Sequence, residues 1–318
     1  MFEYVDAKYI YFINFTAPNL EYTDYMFEEC QYLKYVKLEG ILENINTSKI
    51  KSMEGMFYGC SSLDNFTLQN VNFIELQNMN NFTACTSPLY LTFKNLSFNK
   101  SLSMNKLFHQ NACKDIIFRN ISFNKSVNMT CMILYCEHLR NVIFENILFR
   151  EEIKVTNMIY NHIRENKYLI YILFKNITIS KGLIINRMFL RDNMYRYNYY
   201  NMEATFENIY APELKKIENM CDNHDLKKIY FKNIILPKIE SLEELFTNCL
   251  NLQYLYFENI YTPKLTKLEN IYNLTNNLSY INFTNIDISK VTSMKGLFSN
   301  NKFGSIFFKI YHQIRLLI

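Results

Sequence analysis

The sequence predicts an α/β repeat solenoid of about twelve units, each with one parallel β-strand and a short helical turn or loop. Two observations predict this fold. One strand-like phrase recurs at a nearly constant interval along the chain, and a second apolar set at helical spacing precedes most copies. Repeats with a period of about 20 to 50 residues are typical of solenoids, whose units bury their apolar faces against their neighbours.

The recurring phrase indicates the strand of each unit. Typical copies are IIFRNI from Ile116, VIFENI from Val142 and ILFKNI from Ile172. Apolar residues lie four and two positions before a reference asparagine and one position after it, and this alternation is typical of a half-buried strand. Successive reference positions are 25 to 32 residues apart, and a degenerate last copy begins at Ile306. The reference positions are Asn14, Gly40, Asn70, Asn95, Asn120, Asn146, Asn176, Asn208, Asn233, Asn259 and Asn285.

The second apolar set predicts the helical turn. Met53, Met56 and Phe57 have the spacing i, i+3, i+4, and so do Leu242, Leu245 and Phe246. An apolar stripe at this spacing would pack one helical turn behind the sheet. We expect the reference asparagines to be buried, where a short amide bonds backbone groups of the adjacent loop.

The domain prediction follows from the repeat. Length alone suggests two domains, but the copies run through the chain, so residues 1–318 are expected to form one solenoid. A lone unit cannot offset its ordering entropy, and stacking must supply the missing stability. Neither terminal copy has a visible polar cap, so the ends are expected to be uncapped and could associate end to end.

Composition and motifs narrow the classes of function. With 34 basic and 30 acidic residues the net charge is only +4, which argues against nucleic acid or an anionic membrane as the main partner. The longest apolar run, Tyr168–Phe174, is shorter than the roughly 20 residues of a membrane span. The six glycines form no phosphate-binding loop and the five histidines form no metal motif. We therefore expect no enzyme activity, no cofactor and no metal.

Five cysteines lie ten residues before a reference position, namely Cys30, Cys60, Cys85, Cys136 and Cys249. Metal binding would favour a closer pair. We interpret these residues as a column of small buried thiols. Disulfides between neighbouring units are geometrically conceivable but are not needed for this fold.

A column of charged residues directly precedes the reference asparagines. From Arg119 onward the sign alternates, through Glu145, Lys175, Glu207, Lys232 and Glu258. Opposite charges on adjacent strands stabilise register. This pattern favours a self-neutralising ladder, with a charged strip for a ligand as the alternative.

Tyrosines dominate the outward columns three and five positions before the asparagine. Tyrosine is favoured at interfaces because it gives a large contact area at low entropic cost. The alternative is strand propensity combined with codon bias. An inserted loop, Arg191–Asn201, carries further candidates, although a loop without function is its alternative. The predicted binding surface consists of Tyr171, Tyr230, Tyr254, Tyr256, Tyr280, Arg191, Tyr195, Arg196, Tyr197, Tyr199 and Tyr200.

The unit MEGMFYGCSSLDNFTLQNV, from Met53 to Val71, resembles the BspA-like leucine-rich-repeat surface proteins, with their repeat M-x-x-M-F-x-x-C-x-x-L-x-x-L-x-L-x-N. LEELFTNCLNLQYLYFENI from Leu242 has the same frame. The resemblance implies a leucine-rich-repeat-like fold and a non-catalytic adhesion or interaction module for a protein or an extended glycan. It also implies a cell-surface or secreted location.

Two other functions stay open. The N-terminal sequence lacks a signal peptide, which favours a cytoplasmic scaffold or recognition subunit. The third hypothesis is a truncated paralogue without a present role.

Overall fold

The computed structural model describes residues 2–13, 17–38, 49–84, 86, 88–136, 138–160, 170–190, 202–217, 220–222, 226–247, 249–272, 277–297, 299 and 304–309. Within them, every strand pairing is parallel. In chain order the strands are β1 (Tyr9–Phe12), β2 (Tyr35–Leu38), β3 (Phe66–Phe73), β4 (Tyr90–Phe98), β5 (Leu102–Ser103), β6 (Phe108–His109), β7 (Asp115–Phe123), β8 (Val127–Asn128), β9 (Ile133–Leu134), β10 (Asn141–Phe149), β11 (Ile153–Thr156), β12 (Ile159–Tyr160), β13 (Ile170–Ile179), β14 (Leu183–Asn186), β15 (Phe189–Leu190), β16 (Met202–Tyr210), β17 (Cys221–Asp222), β18 (Leu226–Ile235), β19 (Tyr254–Tyr261), β20 (Tyr280–Ile286) and β21 (Ser305–Lys309).

The longest sheet contains the recurring phrase, so the predicted repeat solenoid is confirmed. Ten strands form this front sheet, in the order β21-β20-β19-β18-β16-β13-β10-β7-β4-β3, while β1 and β2 pair separately. Two further sheets complete the coils, β14-β11-β8-β5 and β17-β15-β12-β9-β6. The molecule is a parallel β-solenoid in which each coil contributes one front strand.

Register in the front sheet keeps equivalent residues of successive repeats side by side. Phe118 pairs with Phe144, which pairs with Phe174. The rings of Phe118 and Phe144 are 4.9 Å apart and 3° from parallel, and both side chains are buried. Each such pair is worth about 0.5–1.5 kcal/mol beyond its buried area. The phenylalanine column, which is continuous from Phe93 to Phe308, therefore fixes how these coils stack.

The predicted helical turn is wrong, because the described residues form no helix. Met53, Met56 and Phe57 are buried as expected, but their segment consists of turns. Backbone N–H groups of alternate residues reach the next coil, as Met53 N–H does to the Asn78 carbonyl at 2.9 Å. Between them, other N–H groups close local four-residue β-turns, as Tyr58 N–H does to the Gly55 carbonyl.

This arrangement explains why the sequence pattern predicted a helix. A helical N–H needs a carbonyl four residues earlier in its own segment, whereas stacked coils supply carbonyls from the neighbouring unit. In the central units the same stretch forms short strands: Met104, Leu107 and Phe108 also have the spacing i, i+3, i+4, but Phe108 is in β6. Apolar spacing alone does not distinguish these backbones, so the α/β and leucine-rich-repeat-like assignment is corrected to an all-β solenoid.

From Asn70 to Asn285 the reference asparagines are on the surface at a corner, not buried, while Asn14 and Gly40 lie outside the described residues. Their φ angles lie between 54° and 58° in the left-handed region, which asparagine tolerates better than most residues. The corner changes which side of the chain faces inward, so Phe144 and Ile147 are both buried on either side of exposed Asn146. These asparagines bond one another: Asn146 Nδ2 donates to Asn120 Oδ1 at 2.8 Å.

The in-phase cysteines are buried as predicted wherever the structure describes them. Cys30, Cys60, Cys136 and Cys249 have no exposed surface, and Cys85 lies outside the described residues. The Cys60 thiol donates to the Phe27 carbonyl of the preceding coil at 3.0 Å, and burial raises its pKa well above the ordinary value. None of these four forms a disulfide.

In the part of the chain that the structure describes, no helix meets the length and hydropathy that crossing a bilayer requires.

Candidate ligand-binding surface

Four of the predicted tyrosines meet on the outer face of the front sheet. In β18 and β19, Tyr230 is directly opposite Tyr256. Tyr254, also in β19, is directly opposite Tyr280 of β20. We call these four residues, together with Lys228, the tyrosine cluster. Its outward orientation follows from strand alternation, because Leu255 and Phe257, between and beside the tyrosines, are buried.

The rings of the tyrosine cluster form a continuous aromatic surface across three strands. Tyr230 and Tyr256 are stacked, with centroids 4.2 Å apart and an interplanar angle of 16°. Tyr256 and Tyr280 are 5.1 Å apart at 38°. Phe307 of β21 extends the row, 5.4 Å from Tyr280. A ligand with apolar faces could therefore lie across several rings.

Lys228 supplies the positive charge of the cluster. Its Nζ is 4.8 Å from the Tyr230 ring centroid and 5.9 Å from that of Tyr256, within the range of cation–π attraction. A hydrogen bond with Tyr230 raises the pKa of Lys228, and the nearby Glu203 carboxylate acts in the same direction. The ammonium therefore stays charged at neutral pH.

Tyr256 is the most perturbed phenol of the cluster. Burial beneath its neighbours, followed by the effect of Tyr230, raises the pKa of Tyr256 to about 12. The hydroxyl stays protonated at neutral pH and can both donate and accept a hydrogen bond. Chemically, the cluster offers ring faces, phenol hydroxyls and one ammonium group. This is a set suited to binding.

The other predicted site residues do not join the cluster. Tyr171 is in the same column as Tyr254, but Glu203 and Lys228 stand between them in register. The predicted loop residues lie outside the described residues, so their place relative to the cluster stays a prediction; they are Arg191, Tyr195, Arg196, Tyr197, Tyr199 and Tyr200.

The charged column runs beside the cluster, and its members form ion pairs across strands. Arg119 and Glu145 are 2.7 Å apart, Lys175 and Glu207 are 3.2 Å apart, and Lys232 and Glu258 are 3.5 Å apart. Each pair joins register neighbours. Pairing of this kind neutralises the strip locally, as the ladder interpretation expects.

Sequence reasoning missed Lys228 and Phe307. Both occupy the two outward columns, because Lys228 is opposite Tyr254 and Phe307 is opposite Asn282. A search of those columns for every aromatic or cationic residue, not for tyrosine alone, would have found them.

Among the described residues, no group of three His, Cys, Asp or Glu side chains is placed to hold a metal ion. Ring stacking and the Lys228 ammonium determine the geometry of the tyrosine cluster.

The stacked coils define the chain as a parallel β-solenoid repeat protein. A family model described as "Mycoplasma protein of unknown function, DUF285" matches residues 21–147 and 192–305. These segments cover more than half of the chain, which therefore belongs to this repeat family. No curated protein matches the chain, and no solved structure matches it.

Proposed function

We propose that the protein is a non-catalytic binding module that holds a protein segment or an extended glycan against the tyrosine cluster. The observation that carries this proposal is the stacked pair Tyr230–Tyr256 with Lys228 beside it on an open sheet face. Rigid aromatic side chains lose little conformational entropy on binding, and their hydroxyls orient polar groups.

Backbone rigidity supports the same proposal. The tyrosines are on strands that pair on both sides, as β19 does with β18 and β20. Sites on regular elements hold their side chains more closely than sites on loops. The ion-paired column beside the cluster disfavours a long polyanion, since its positive charges already have carboxylate partners.

Adhesion is the more specific form of this proposal. It rests on the resemblance of Met53–Val71 to the BspA-like surface repeats and on the open aromatic face. A cytoplasmic scaffold or recognition subunit is the second candidate, because the six cysteines whose side chains the structure describes form no disulfides, a pattern typical of reducing compartments. The two candidates are separated by alkylating the thiols of unfolded protein from its natural source. Blocked or glycosylated residues indicate export, whereas fully reactive thiols favour the scaffold.

The binding proposal is tested with arrays of linear oligosaccharides and of peptides, followed by titration of the strongest hit. The double variant Tyr230→Ala/Tyr256→Ala should weaken that hit at least about tenfold, because each aromatic anchor contributes more than about 1 kcal/mol at a binding centre. Tyr90→Ala is the matched control: Tyr90 is exposed in β4, in the same outward column as Tyr254 but five strands from β18.

The two variants separate the possible outcomes. A loss in the double variant with unchanged binding in Tyr90→Ala supports the cluster as the site. Equal affinity of the double variant and the wild type, with circular dichroism showing both folded, would remove the cluster as the site.

A further inference from the structure

The interior of the solenoid contains a cavity of about 110 Å³ behind the front sheet. Its wall includes Phe174, Phe206 and Phe231 from three neighbouring front strands, and Leu183 and Ile185 from β14. The residues that line it are apolar, with Thr262 as the exception. A buried water needs about two to four polar partners, so this space is unsuited to water.

A change of side-chain size in one inward-facing column leaves the space that forms the cavity. Three positions after the reference asparagine, the first four complete coils carry phenylalanines that stack at 5.0–5.2 Å, namely Phe73, Phe98, Phe123 and Phe149. The next coils carry smaller side chains at this position, Ile179, Ala211, Leu236 and Thr262, and all four line the cavity. Replacement of a stacked ring by Ala211 removes the largest volume.

Partial accessibility of inward-facing residues shows where the empty space is. Phe174 is only half-buried, although its register neighbours Phe144 and Phe206 are buried. Ile209 is half-buried, whereas the equivalent Ile177 and Ile234 on either side are buried. Since these side chains face the interior, their accessible area belongs to the cavity.

We propose that this cavity is a binding site for a neutral, unbranched hydrocarbon chain. The wall extends from Phe144 of β10 to Phe257 of β19, five strands and thus about 19 Å along the solenoid axis. A volume of this size drawn out over that length is narrow, which suits one alkyl chain better than a compact ring. Apolar cavities stay dry and take up apolar molecules.

The site is independent of the tyrosine cluster, because it occupies the inner face of the same strands. Tyr230 and Tyr256 point away from it, and neither lines it. Tyr230→Ala/Tyr256→Ala should therefore leave hydrocarbon binding unchanged, so that failure of one proposal is distinguishable from failure of the other.

The experiment uses n-hexane as the probe with the full chain. Saturation-transfer NMR should show transfer from protein to hexane, and hexane-saturated buffer should raise the Tm, because a ligand that binds the native state stabilises it. In Ala211→Phe, which restores the phenylalanine column, the transfer signal should be lost. Ala211→Leu, a smaller change at the same position, should weaken it and covers the case in which the larger ring prevents folding.

Thr92→Phe is the matched control, because it adds the same ring on the outer face of β4, where Thr92 is half-buried. Retention of the hexane signal in Thr92→Phe and its loss in Ala211→Phe support the proposal. Absence of transfer to hexane in the wild type overturns it, and so does an unchanged signal in a folded Ala211→Phe or Ala211→Leu.

Discussion

Asn146 donates its side-chain amide to the side-chain oxygen of Asn120, 2.8 Å away on the preceding coil. The relationship repeats along the corner: Asn176 bonds Asn146 at 2.8 Å and Asn208 bonds Asn176 at 2.7 Å. Each amide thus donates to one neighbour and accepts from the other. The ladder links coils at a place where the backbone adopts a left-handed conformation.

Asn146→Ala should destabilise the protein by about 2 kcal/mol. It removes two side-chain hydrogen bonds, each worth about 1 kcal/mol net, and places a β-carbon without a local hydrogen bond at a φ of 57°. Asn146→Gly loses the same hydrogen bonds but removes the backbone strain, so its loss of unfolding free energy should be smaller. Urea unfolding measures both. A loss from Asn146→Gly as large as that from Asn146→Ala would show that backbone conformation contributes nothing there.

Phe118→Ala should cost about 3–5 kcal/mol, the usual range for removal of a buried ring. Phe118 is 2% exposed and stacks between Phe93 at 5.0 Å and Phe144 at 4.9 Å. Phe307→Ala is the control, since Phe307 is 51% exposed, and its cost should be small. Denaturant midpoints give the comparison, and similar costs for the two changes would contradict the stacking argument.

Tyr256 should make stability depend on alkaline pH. Its pKa is raised to about 12 in the folded protein, first by burial, against an ordinary value of about 10. Because the folded state favours the protonated phenol, this stabilisation is complete below about pH 10 and disappears as the pH rises through about 12. The loss of stability across that window should be shallower in Tyr256→Phe, measured by unfolding at several pH values. Identical slopes for variant and wild type would contradict the assignment.

In the native protein, Cys60 should react with a thiol-specific alkylating reagent at least about tenfold more slowly than Cys131. Only the thiolate attacks the reagent, and burial suppresses formation of the thiolate. Cys60 is fully buried and Cys131 is half-buried. Peptide mapping by mass spectrometry resolves the two sites, and their rates should converge in denaturant. Comparable native rates would mean that the first coils open readily.

The front sheet was predictable from sequence because its geometry follows local alternation. Phe144 and Ile147 keep the same places relative to Asn146 that Phe118 and Ile121 keep relative to Asn120, and these spacings placed the front strands correctly, although not the short strands of the other two sheets. The corner itself was misjudged. An inward residue on each side of the asparagine is compatible with a buried amide or with a surface bend, and only the left-handed φ distinguishes them.

The turn segments could not be assigned from sequence for a different reason. Met53, Met56 and Phe57 are buried in either a helix or a coil wall, and hydrogen bonding to the next coil decides between them. For the candidate site, the outward columns of the repeat predicted Tyr230, Tyr254, Tyr256 and Tyr280. Which of the predicted tyrosines touch one another depends on the register of the strands, and this register separates Tyr171 from the other four. Lys228 was missed because the search was limited to tyrosine.

Parallel stacking in constant register has a consequence for how such a chain can change in evolution. Gain or loss of one whole repeat shifts the downstream coils by a single strand spacing, about 4.8 Å, and leaves every inward column continuous. The length of the outer face can therefore change in steps of one strand spacing. A duplication that carried β18, β19 and β20 together would double the tyrosine cluster without any new packing problem in the core.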